Sequence, residues 1–552
     1  MTRAVAGITF LALLSIPAFA QSTETAATAA PPSFEAADVH GSPHRTFPYN
    51  PGAIVRDGRY MLRQATMADL IATAYGLDPE NVQGGPSWLE TDRFDLTAKI
   101  PPSTPADAAK LMLRSLLAER FKLVVHNGVA PMPAYVLTVG RDKVKMKESE
   151  GSDAAGCQYQ PPPPNQPPGT ISPIVFSCHS ISMETFAQSL HDWAGGYLTQ
   201  PVFDSTGLKG TWDFDIKWTA RGQLGRAGAD GISIFDAVDK ELGLKLELKT
   251  EPRPVLIVDS VNQAPTPNPP GLEKILPPPP PPEFEVATIK PSKEDGRENG
   301  RFNGVEMDLQ YEPLRFLVYY AWDLNENDDE LVVGAPKWLG TDRFDIVAKV
   351  STDAMGNTVQ GRPRIDEEDF RQMLRALLAD RFKMQSHMED RTITAYTLIA
   401  ANPKLRKADP ASRTRCIEGP GTDGKDPRIA NPVLNRLVSC QNMTMAQIGE
   451  KLQNLASGYI YTPVLDATGM TGSFDFTLSF SSADLARGSG GGGGGGGSAA
   501  PAAGGAASAS DPNGAVSFFD AVNRQLGLKL EKQRRPAPVL VIDHIEEKPT
   551  EN

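Results

Sequence analysis

The sequence predicts an α+β fold made of two tandem homologous domains. Each domain is expected to consist of repeated β-α-β-β units whose helices pack on small, mostly antiparallel sheets. Three observations predict this: the chain repeats itself in order, helix-start signals alternate with short β-like runs, and low-complexity segments punctuate the repeats. Paired strands often follow one helix directly, which disfavours a doubly wound parallel sheet.

Internal duplication is the strongest signal in the 552 residues. Pro-x-Trp-Leu-x-Thr-Asp-Arg-Phe-Asp at residues 86–95 returns at residues 336–345, an offset of 250. Gly-Leu-Lys-Leu-Glu at 243–247 returns at 527–531, an offset of 284. The offset grows only in loops, so ordered matches of this length indicate two copies of one domain.

The repeats place copy one at residues 34–262 and copy two at residues 283–547. The proline-rich residues 263–282 are expected to form a semi-rigid linker between them. The Gly/Ala/Ser-rich insertion 488–510 lacks the Lys-Ser/Thr ending of a phosphate-binding loop, so it is interpreted as a flexible segment. We expect each copy to fold as a separate unit.

Residues 1–20 have the pattern of a secretory signal peptide. Arg3 precedes an apolar run at residues 4–16, and Ala18-Phe19-Ala20 supplies a small-x-small cleavage site. No later stretch approaches 18 uncharged apolar residues, so no transmembrane segment is expected after cleavage. The alternative is an uncleaved anchor. We expect the mature chain to begin near Gln21 and to be periplasmic or secreted.

Composition limits the partners. The net charge of −12 and the pI near 5.3 argue against nucleic acid, whose phosphates require a basic face. The same charge disfavours simple electrostatic binding to anionic lipid. With 40% hydrophobic residues, the chain is long enough to bury more than one core.

Helix starts are legible from capping patterns. Thr66 with Asp69 predicts the beginning of a helix that Gly76 ends. The other predicted starts are at Asp366, at Thr444 with Gln447, and at Ser517 with Asp520. Gly, Pro or Asn separates the β-like runs, so we interpret them as separate strands. These runs lie at residues 123–125, 134–139, 212–218, 244–248 and 255–261.

Four cysteines divide evenly between the copies. Cys157 and Cys178 lie in copy one, and Cys416 and Cys440 lie at matching places in copy two. An even count in an exported chain predicts one disulfide within each copy. Free or metal-binding thiols are the alternative, although the wide spacing does not suit a zinc site.

No catalytic motif is found. H-E-x-x-H, G-x-S-x-G and S-x-x-K are all absent from the sequence. His126 and His387 correspond between the copies, but no Ser, Cys or carboxylate partner can be named beside them. A structural hydrogen bond at a strand end is favoured over a catalytic base. We therefore predict no catalytic, metal-binding or cofactor-binding residue.

The Trp-Leu-x-x-Asp-Arg-Phe-Asp segments are the candidate binding surface, because they combine an aromatic ring with clustered charge in both copies. Two interpretations stay open: a surface that contacts a partner, or a structural corner between a helix and a strand. In the first, changing the Trp and Arg weakens binding; in the second, it lowers stability. The candidate residues are Trp88, Asp92, Arg93 and Asp95 in copy one, and Trp338, Asp342, Arg343 and Asp345 in copy two.

Several motifs of copy two carry a family resemblance. They are Phe-Glu-Val-Ala with Lys-Pro-Ser at 284–292, Met-Leu-Arg-x-Leu-Leu-Ala-Asp-Arg-Phe-Lys at 373–383, and the segments 466–476, 526–531 and 539–544. Together they resemble a soil-associated exported family of acidobacteria, domain of unknown function 3738. The resemblance covers nearly the whole mature chain, twice, and it implies no established activity.

Copy one departs from this pattern. It differs at residues 36–38 and 44–45, and it has Asp259-Ser260 where copy two has Asp-His. The helix-then-paired-strand units also look similar to the short amino-terminal domains of secretins and outer-membrane receptors. That likeness is at the level of the fold alone.

Two classes of function are expected. The first is an exported, non-catalytic binding or assembly module that engages an envelope protein or polymer through its duplicated domains. The second is an exported hydrolase that acts on glycan or peptide. Linked copies raise avidity, and no nucleophile, metal cluster or oxyanion signature is found, so the sequence favours the first class.

Overall fold

The computed structural model describes residues 31–550 with gaps. The gaps are residues 46–47, 152–154, 164, 168–169, 280, 294–295, 304, 352–354, 359–362, 422–423, 432 and 487–513. The signal peptide expected at 1–20 and the insertion expected at 488–510 lie outside the described residues.

Copy one alternates strands and helices along its whole length. Its strands are β1 (Ala37–Gly41), β2 (Ile54–Arg56), β3 (Arg59–Thr66), β4 (Val82–Gly84), β5 (Arg93–Lys99), β6 (Val124–Val139), β7 (Lys147–Glu148), β8 (Gly156–Gln160), β9 (Ile174–Ile181), β10 (Val202–Asp204), β11 (Trp212–Trp218) and β12 (Leu244–Ser260). Its helices are α1 (Met67–Tyr75), α2 (Ala106–Phe121), α3 (Met183–Trp193), α4 (Arg221–Ala227) and α5 (Ile234–Leu242). The one-turn helix α6 (Leu272–Ile275) follows in the linker.

Copy two repeats this order with a few added elements. Its strands are β13 (Phe284–Pro291), β14 (Asn299–Phe302), β15 (Glu306–Pro313), β16 (Val332–Val333), β17 (Arg343–Val350), β18 (Gly356–Thr358), β19 (Pro363–Arg364), β20 (Gln385–Ala400), β21 (Arg406–Lys407), β22 (Arg415–Glu418), β23 (Arg436–Thr444), β24 (Val464–Asp466), β25 (Ser473–Phe480) and β26 (Leu528–His544). Its helices are α7 (Leu314–Ala321), α8 (Trp338–Thr341), α9 (Glu367–Arg381), α10 (Pro427–Ala430), α11 (Met445–Leu455), α12 (Ala483–Ala486) and α13 (Phe518–Ala521).

The four capping signals locate their helices correctly. Thr66 and Thr444 each form a complete capping box, with Asp69 and Gln447 respectively, and α1 and α11 begin at the next residue. Gly76 ends α1 in the left-handed conformation at φ 68°. The predicted α+β class, with small and mostly antiparallel sheets, is confirmed.

Each copy has two lobes with separate hydrophobic cores. In copy one, the amino-terminal lobe packs α1 and α2 on a sheet of order β1-β5-β3-β2. The carboxy-terminal lobe packs α3 and α5 around a sheet of order β7-β11-β9-β8. Copy two has the same two cores. The two lobes of a copy match each other, so the arrangement of helices on a sheet is repeated within each copy as well as between the copies.

A long two-stranded ladder spans both lobes of each copy. β6 and β12 pair antiparallel from Val124 to Val139, where separate strands were expected on either side of the prolines. That expectation is wrong, because the prolines do not interrupt the ladder. Pro131 lies opposite Pro252, so this position cannot be a hydrogen-bonded pair. Pro133 lies two residues from Pro131, and Pro254 lies two residues from Pro252. Hydrogen-bonded and non-hydrogen-bonded pairs alternate along an antiparallel ladder, so these two prolines also lie at positions whose N–H makes no hydrogen bond in the ladder.

Each lobe of a copy contributes one short strand, which pairs with the long strand that ends the other lobe. The short β4 of the amino-terminal lobe pairs parallel with β12, and the short β10 of the carboxy-terminal lobe pairs parallel with β6. In copy two, β16 pairs with β26 and β24 pairs with β20 in the same way. Each copy is therefore an interlocked pair of β-α-β-β-α-β units.

The two copies share a sheet. The β18-β19 hairpin of copy two adds to the edge of β2 in copy one, which extends that sheet to the order β1-β5-β3-β2-β18-β19. The offset between the copies grows from 250 to 261 at this loop, so copy two has room for a hairpin that copy one lacks. The linker also packs on copy one, since the Asn268 side chain accepts from Val39 N–H at 3.1 Å.

Candidate functional site

The Asp345 carboxylate of the candidate surface holds a backbone bulge. Its Oδ1 accepts from the Tyr311 backbone N–H at 3.0 Å and from the Ser292 hydroxyl at 2.6 Å. Tyr311 has the left-handed φ of 59°, and the β15–β17 register shifts beside it. A partly buried carboxylate that accepts a bulge N–H replaces the ladder bond that the bulge loses.

This arrangement recurs in all four lobes. In each lobe, the Asp directly follows an aromatic residue on its strand. Its carboxylate accepts a hydrogen bond from the backbone N–H of a non-glycine residue in the left-handed conformation, and that residue lies two positions before a helix N-cap. The pairs are Asp95 with Gln64 N–H (2.8 Å), Asp213 with Ser180 (2.8 Å), Asp345 with Tyr311 (3.0 Å) and Asp475 with Asn442 (2.9 Å). The bond from Ser180 holds the pKa of Asp213 below its ordinary value. Four-fold recurrence indicates a folding element.

The other polar side chains of the copy-two segment also have partners within the chain. Arg343 lies 3.2 Å from Glu298 and 5.5 Å from the ring centre of Tyr311. Asp342 accepts from the Thr341 hydroxyl at 2.9 Å, and Trp338 packs partly buried against the core. These contacts favour the structural corner over the partner-binding surface in copy two.

The equivalent corner of copy one contacts copy two. The Ser87 carbonyl accepts from Thr414 N–H at 3.0 Å, and the Glu90 carboxylate accepts from Arg413 at 2.7 Å. Copy two has Gly340 at the position of Glu90, so its corner lacks this carboxylate. Trp88 packs edge-on against Phe94 at 6.3 Å. The surface that the sequence proposes for a partner thus meets the second half of the same chain.

The remaining charged residues of this corner are also engaged. Arg93 donates to the Gln64 carbonyl, and burial lowers the pKa of its guanidinium. Asp92 accepts from the Gln263 amide at 2.6 Å. The corner of copy one therefore contacts its own backbone bulge, the linker and copy two.

We predict that Asp345→Ala lowers the free energy of unfolding by about 2 kcal/mol, because the bulge N–H loses a charged acceptor. Denaturant unfolding of the full chain measures this. Asp342→Ala is the matched control and should change stability by less than about 0.5 kcal/mol. If Asp345→Ala left stability unchanged, the structural interpretation of this corner would be wrong.

Each histidine that corresponds between the copies has a carboxylate partner after all. His126 Nδ1 lies 2.9 Å from Asp259 Oδ2, and His387 Nδ1 lies 2.8 Å from Asp543 Oδ2. These partners are not apparent from the sequence, because each Asp lies on the last strand of its copy, across the ladder. The matching Val-Leu-x-x-Asp ending of both copies was the available signal. The hydrogen bond to Asp543 raises the pKa of His387 above its usual value.

A buried ion-pair cluster joins the copies. Asp369 of α9 is 2% exposed and lies 2.8 Å from both Arg56 and Arg63 of copy one. Arg63 also lies 2.7 Å from Asp366. Burial raises the pKa of Asp366 above its usual value, although Arg63 opposes this. The cluster is not apparent from the sequence, because its members from the two copies lie about 300 residues apart.

Among the described residues, no strand covers one outer edge of the amino-terminal sheet of copy two, whereas the equivalent edge of copy one is filled. β14 is the outermost strand of the sheet β13-β17-β15-β14 and pairs with β15 as β2 pairs with β3. The hairpin β18-β19 covers β2, and Ile54 there is 2% exposed. All four residues of β14 are exposed, and Phe302 is 49% exposed.

The Phe302 ring on this edge belongs to a cluster of aromatic rings. Phe302 lies 4.7 Å from Phe370, which also contacts Tyr320 at 6.0 Å and Phe284 at 5.8 Å. We call these four residues the aromatic edge cluster. By the alignment of the copies, copy one has smaller residues at three of these positions: Val55, Thr73 and Ala109. In the described part of the chain, copy two thus combines an edge strand that has no outer partner with two exposed rings, those of Phe302 and Tyr320.

Within the described residues, no group of three or more His, Cys, Asp or Glu side chains is placed to hold a metal ion. The same part of the chain contains no helix long and apolar enough to cross a membrane. Cys157 joins Cys178 and Cys416 joins Cys440, the pairing that the sequence predicts. Two disulfides fit a protein that folds in an oxidising compartment.

The fold and these sites define a duplicated, disulfide-containing α+β protein with interlocked half-repeats. The chain matches the family described as "Protein of unknown function (DUF3738)" over residues 68–261 and 315–545. Because the matches cover more than half of the chain, the protein belongs to this family, with two copies of its domain. No curated protein and no solved structure matches the chain.

Proposed function

We propose that the protein is an exported, non-catalytic binding module, periplasmic or secreted, that takes an extended segment of an envelope protein onto the β14 edge. The observation that supports this is the β18–β2 pairing, in which the same edge of the homologous sheet accepts a strand. Strand addition satisfies the unpaired backbone groups of an edge and is a recurrent mode of peptide recognition.

The copies have different roles in this proposal. Copy one docks on copy two and has its edge occupied, whereas copy two presents the free edge. The register fixes the contact: β18 pairs with Ile54 and Val55, whose equivalents in copy two are Arg301 and Phe302. An incoming segment is therefore expected to lie beside Arg301 and Phe302, with an apolar side chain on the aromatic edge cluster.

Aromatic anchors supply the binding energy that a bare strand edge lacks. Half-exposed rings that cluster at one surface are typical hot spots of protein interfaces. Phe302 and Tyr320 are 49% and 37% exposed, so a partner would bury further ring area. Phe302→Ala should weaken binding by about 2 kcal/mol, roughly 30-fold.

Site-specific photo-cross-linking tests the proposal. A photoreactive residue in place of Phe302 in the full chain is exposed to an envelope extract, and the cross-linked protein is then purified. Hydrogen exchange should show protection of the β14 amides in the resulting complex. Phe302→Ala should weaken binding of the captured protein about 30-fold. Val55 is the matched control, because its edge is already filled.

The expected result is a cross-link at position 302, none at position 55, and slower exchange in β14. Equal cross-linking at both positions would show that contact is not specific to the open edge. A captured protein that leaves β14 exchange unchanged would refute strand addition.

The His–Asp pairs favour a second candidate function, an exported hydrolase acting on glycan or peptide. An imidazole oriented by a carboxylate is the base of many hydrolases, and here the arrangement is present in both copies. A glycan and peptide hydrolysis screen tests it. Turnover that survives purification and disappears when His126 and His387 are both changed would replace the binding proposal.

A further inference from the structure

An open groove of about 540 Å³ lies where the two lobes of copy one meet. Asp78, in the loop between α1 and β4, lines it from the amino-terminal lobe, and residues of α3 and β10 line it from the carboxy-terminal lobe. Every residue that lines the groove belongs to copy one. The groove is therefore separate from the β14 edge of copy two and independent of the function proposed for that edge.

Three carboxylates line this groove, those of Asp78, Glu184 and Asp204. Among the described residues, no Lys or Arg lines it with them. Asp78 and Glu184 are exposed, and in the described part of the chain neither carboxylate has a hydrogen bond or an ion pair. A groove with this charge favours a cationic ligand.

The groove also has an exposed aromatic ring. Phe203 of β10 is 42% exposed and belongs to the lining. A guanidinium group can stack on such a ring, and it can donate two parallel hydrogen bonds to a carboxylate. A ring together with carboxylates therefore suits arginine better than a compact ammonium group.

The equivalent place in copy two shows how such a surface is used. Residues 43–45 of copy one, Pro-His-Arg without helix or strand, lie there as a basic segment. His44 Nε2 lies 3.0 Å from Glu450 Oε1, and Arg45 pairs with Glu368. The pocket that this segment lines also contains Gln453 and Pro463 of copy two. A short basic segment of one copy thus packs beside carboxylates of the other.

The residues of copy two at this place have equivalents in the open groove. By the alignment of the copies, α11 corresponds to α3 and β24 corresponds to β10. The equivalents of Glu450, Gln453 and Pro463 all line the groove of copy one. They are Gln188, His191 and Pro201. Copy one therefore has an open groove at the place where copy two holds a segment.

Copy one also has exposed carboxylates where copy two does not. Asp78 corresponds to Asp328, which is 6% exposed and accepts from the Glu330 N–H at 3.1 Å. The Asp78 side chain makes no such capping hydrogen bond. Glu184 corresponds to Ala446. The fold therefore does not require either carboxylate of copy one, which leaves both available to a ligand.

We propose that this groove binds a short, non-helical segment of a partner protein that contains arginine. The precedent is the basic segment 43–45, which copy two holds at the equivalent place. The guanidinium of the incoming segment is expected to stack on Phe203 and to donate to Asp78 or Glu184.

The test is isothermal titration calorimetry on the full chain with the peptide acetyl-Pro-Arg-Pro-Arg-amide. Its neutral match has citrulline in place of both arginines, and the arginine peptide should bind at least about 10-fold more tightly. The prolines remove backbone N–H donors, so the peptide is a poor strand for the β14 edge. Phe302→Ala should accordingly change its affinity less than about 3-fold.

Paired charge variants locate the peptide. Asp78→Asn combined with Glu184→Gln should weaken the arginine peptide at least about 10-fold. Glu273→Gln combined with Glu285→Gln removes the same charge at exposed positions outside the groove. This control should change the affinity less than about 3-fold.

Three results would overturn the proposal: no binding at peptide concentrations up to about 1 mM, equal binding of the arginine and citrulline peptides, or equal losses in the two charge variants. A loss of at least about 10-fold in Phe302→Ala would place the peptide on the β14 edge instead. If the groove variant does not fold, Phe203→Leu decides, because Leu465 shows that the fold accepts leucine at this position. It must weaken the arginine peptide at least about 3-fold, and unchanged binding refutes the site.

Discussion

Asp369→Asn is expected to lower the free energy of unfolding of the full chain by about 3–5 kcal/mol. The substitution removes the charge that Arg56 and Arg63 share across the two copies, and the side chains of these arginines are only 8% and 22% exposed. Although burial alone would lower the pKa of Arg63, Asp366 and Asp369 together raise it above its ordinary value. Denaturant unfolding at neutral pH measures the loss.

Asp107→Asn is the control for this prediction. Asp107 also lies in the first turn of a helix, so it shares the favourable interaction with the helix dipole, but its side chain is 92% exposed. It should change stability by less than about 0.5 kcal/mol. A double-mutant cycle between Arg63→Met and Asp369→Leu isolates the contact and should give a coupling above about 1 kcal/mol. A loss below about 1 kcal/mol for Asp369→Asn would contradict a stabilising junction.

This junction changes how the duplication is understood. From the sequence, the copies are expected to be separate folding units joined by a proline linker. The structure adds a shared sheet, the corner contact at Glu90 and the Asp369 cluster. Independent folding of each copy stays a prediction. These contacts mean that an isolated copy would lose partners that the full chain has.

The features that the sequence predicts well depend on residues that lie close together in the chain. The capping boxes at Thr66 and Thr444 lie within four residues, so the pattern alone locates both helix starts. The two domain copies are visible because whole segments recur. The disulfide pairing follows from the even division of the cysteines between the copies, at matching places in each.

What the sequence does not predict depends on distant partners. His126 and Asp259 are separated by 133 residues and meet only because the ladder is antiparallel. The prolines of β6 suggest a break, yet a ladder tolerates them at alternate positions. The corner segments attracted a functional interpretation because charge and aromatic rings recur there. Their recurrence is explained by the backbone bulge, which becomes visible only when the pairing with the neighbouring strand is known.

The second large effect is expected at the disulfides. Replacing Cys416 and Cys440 together by Ala should lower the free energy of unfolding by about 3 kcal/mol, because the bond closes a loop with a sequence separation of 24 in the unfolded chain. Cys416 and Cys440 are direct cross-strand partners on β22 and β23, so the substitution also frees an edge strand. Alanine avoids placing a hydroxyl at Cys440, which is 4% exposed.

Copy one supplies the comparison for this prediction. Cys157 and Cys178 are cross-strand partners on β8 and β9 with a sequence separation of 21, and loop entropy depends only weakly on length. The two double variants should therefore lose nearly equal stability, and mild reduction of the natural chain should cost about the sum if the lobes are independent. Non-reducing peptide mapping checks the pairing first. Cross-linked peptides that join the two copies, or four free thiols, would contradict one disulfide per copy. A loss below about 1 kcal/mol in both variants would show that the strand pairing alone holds these edges.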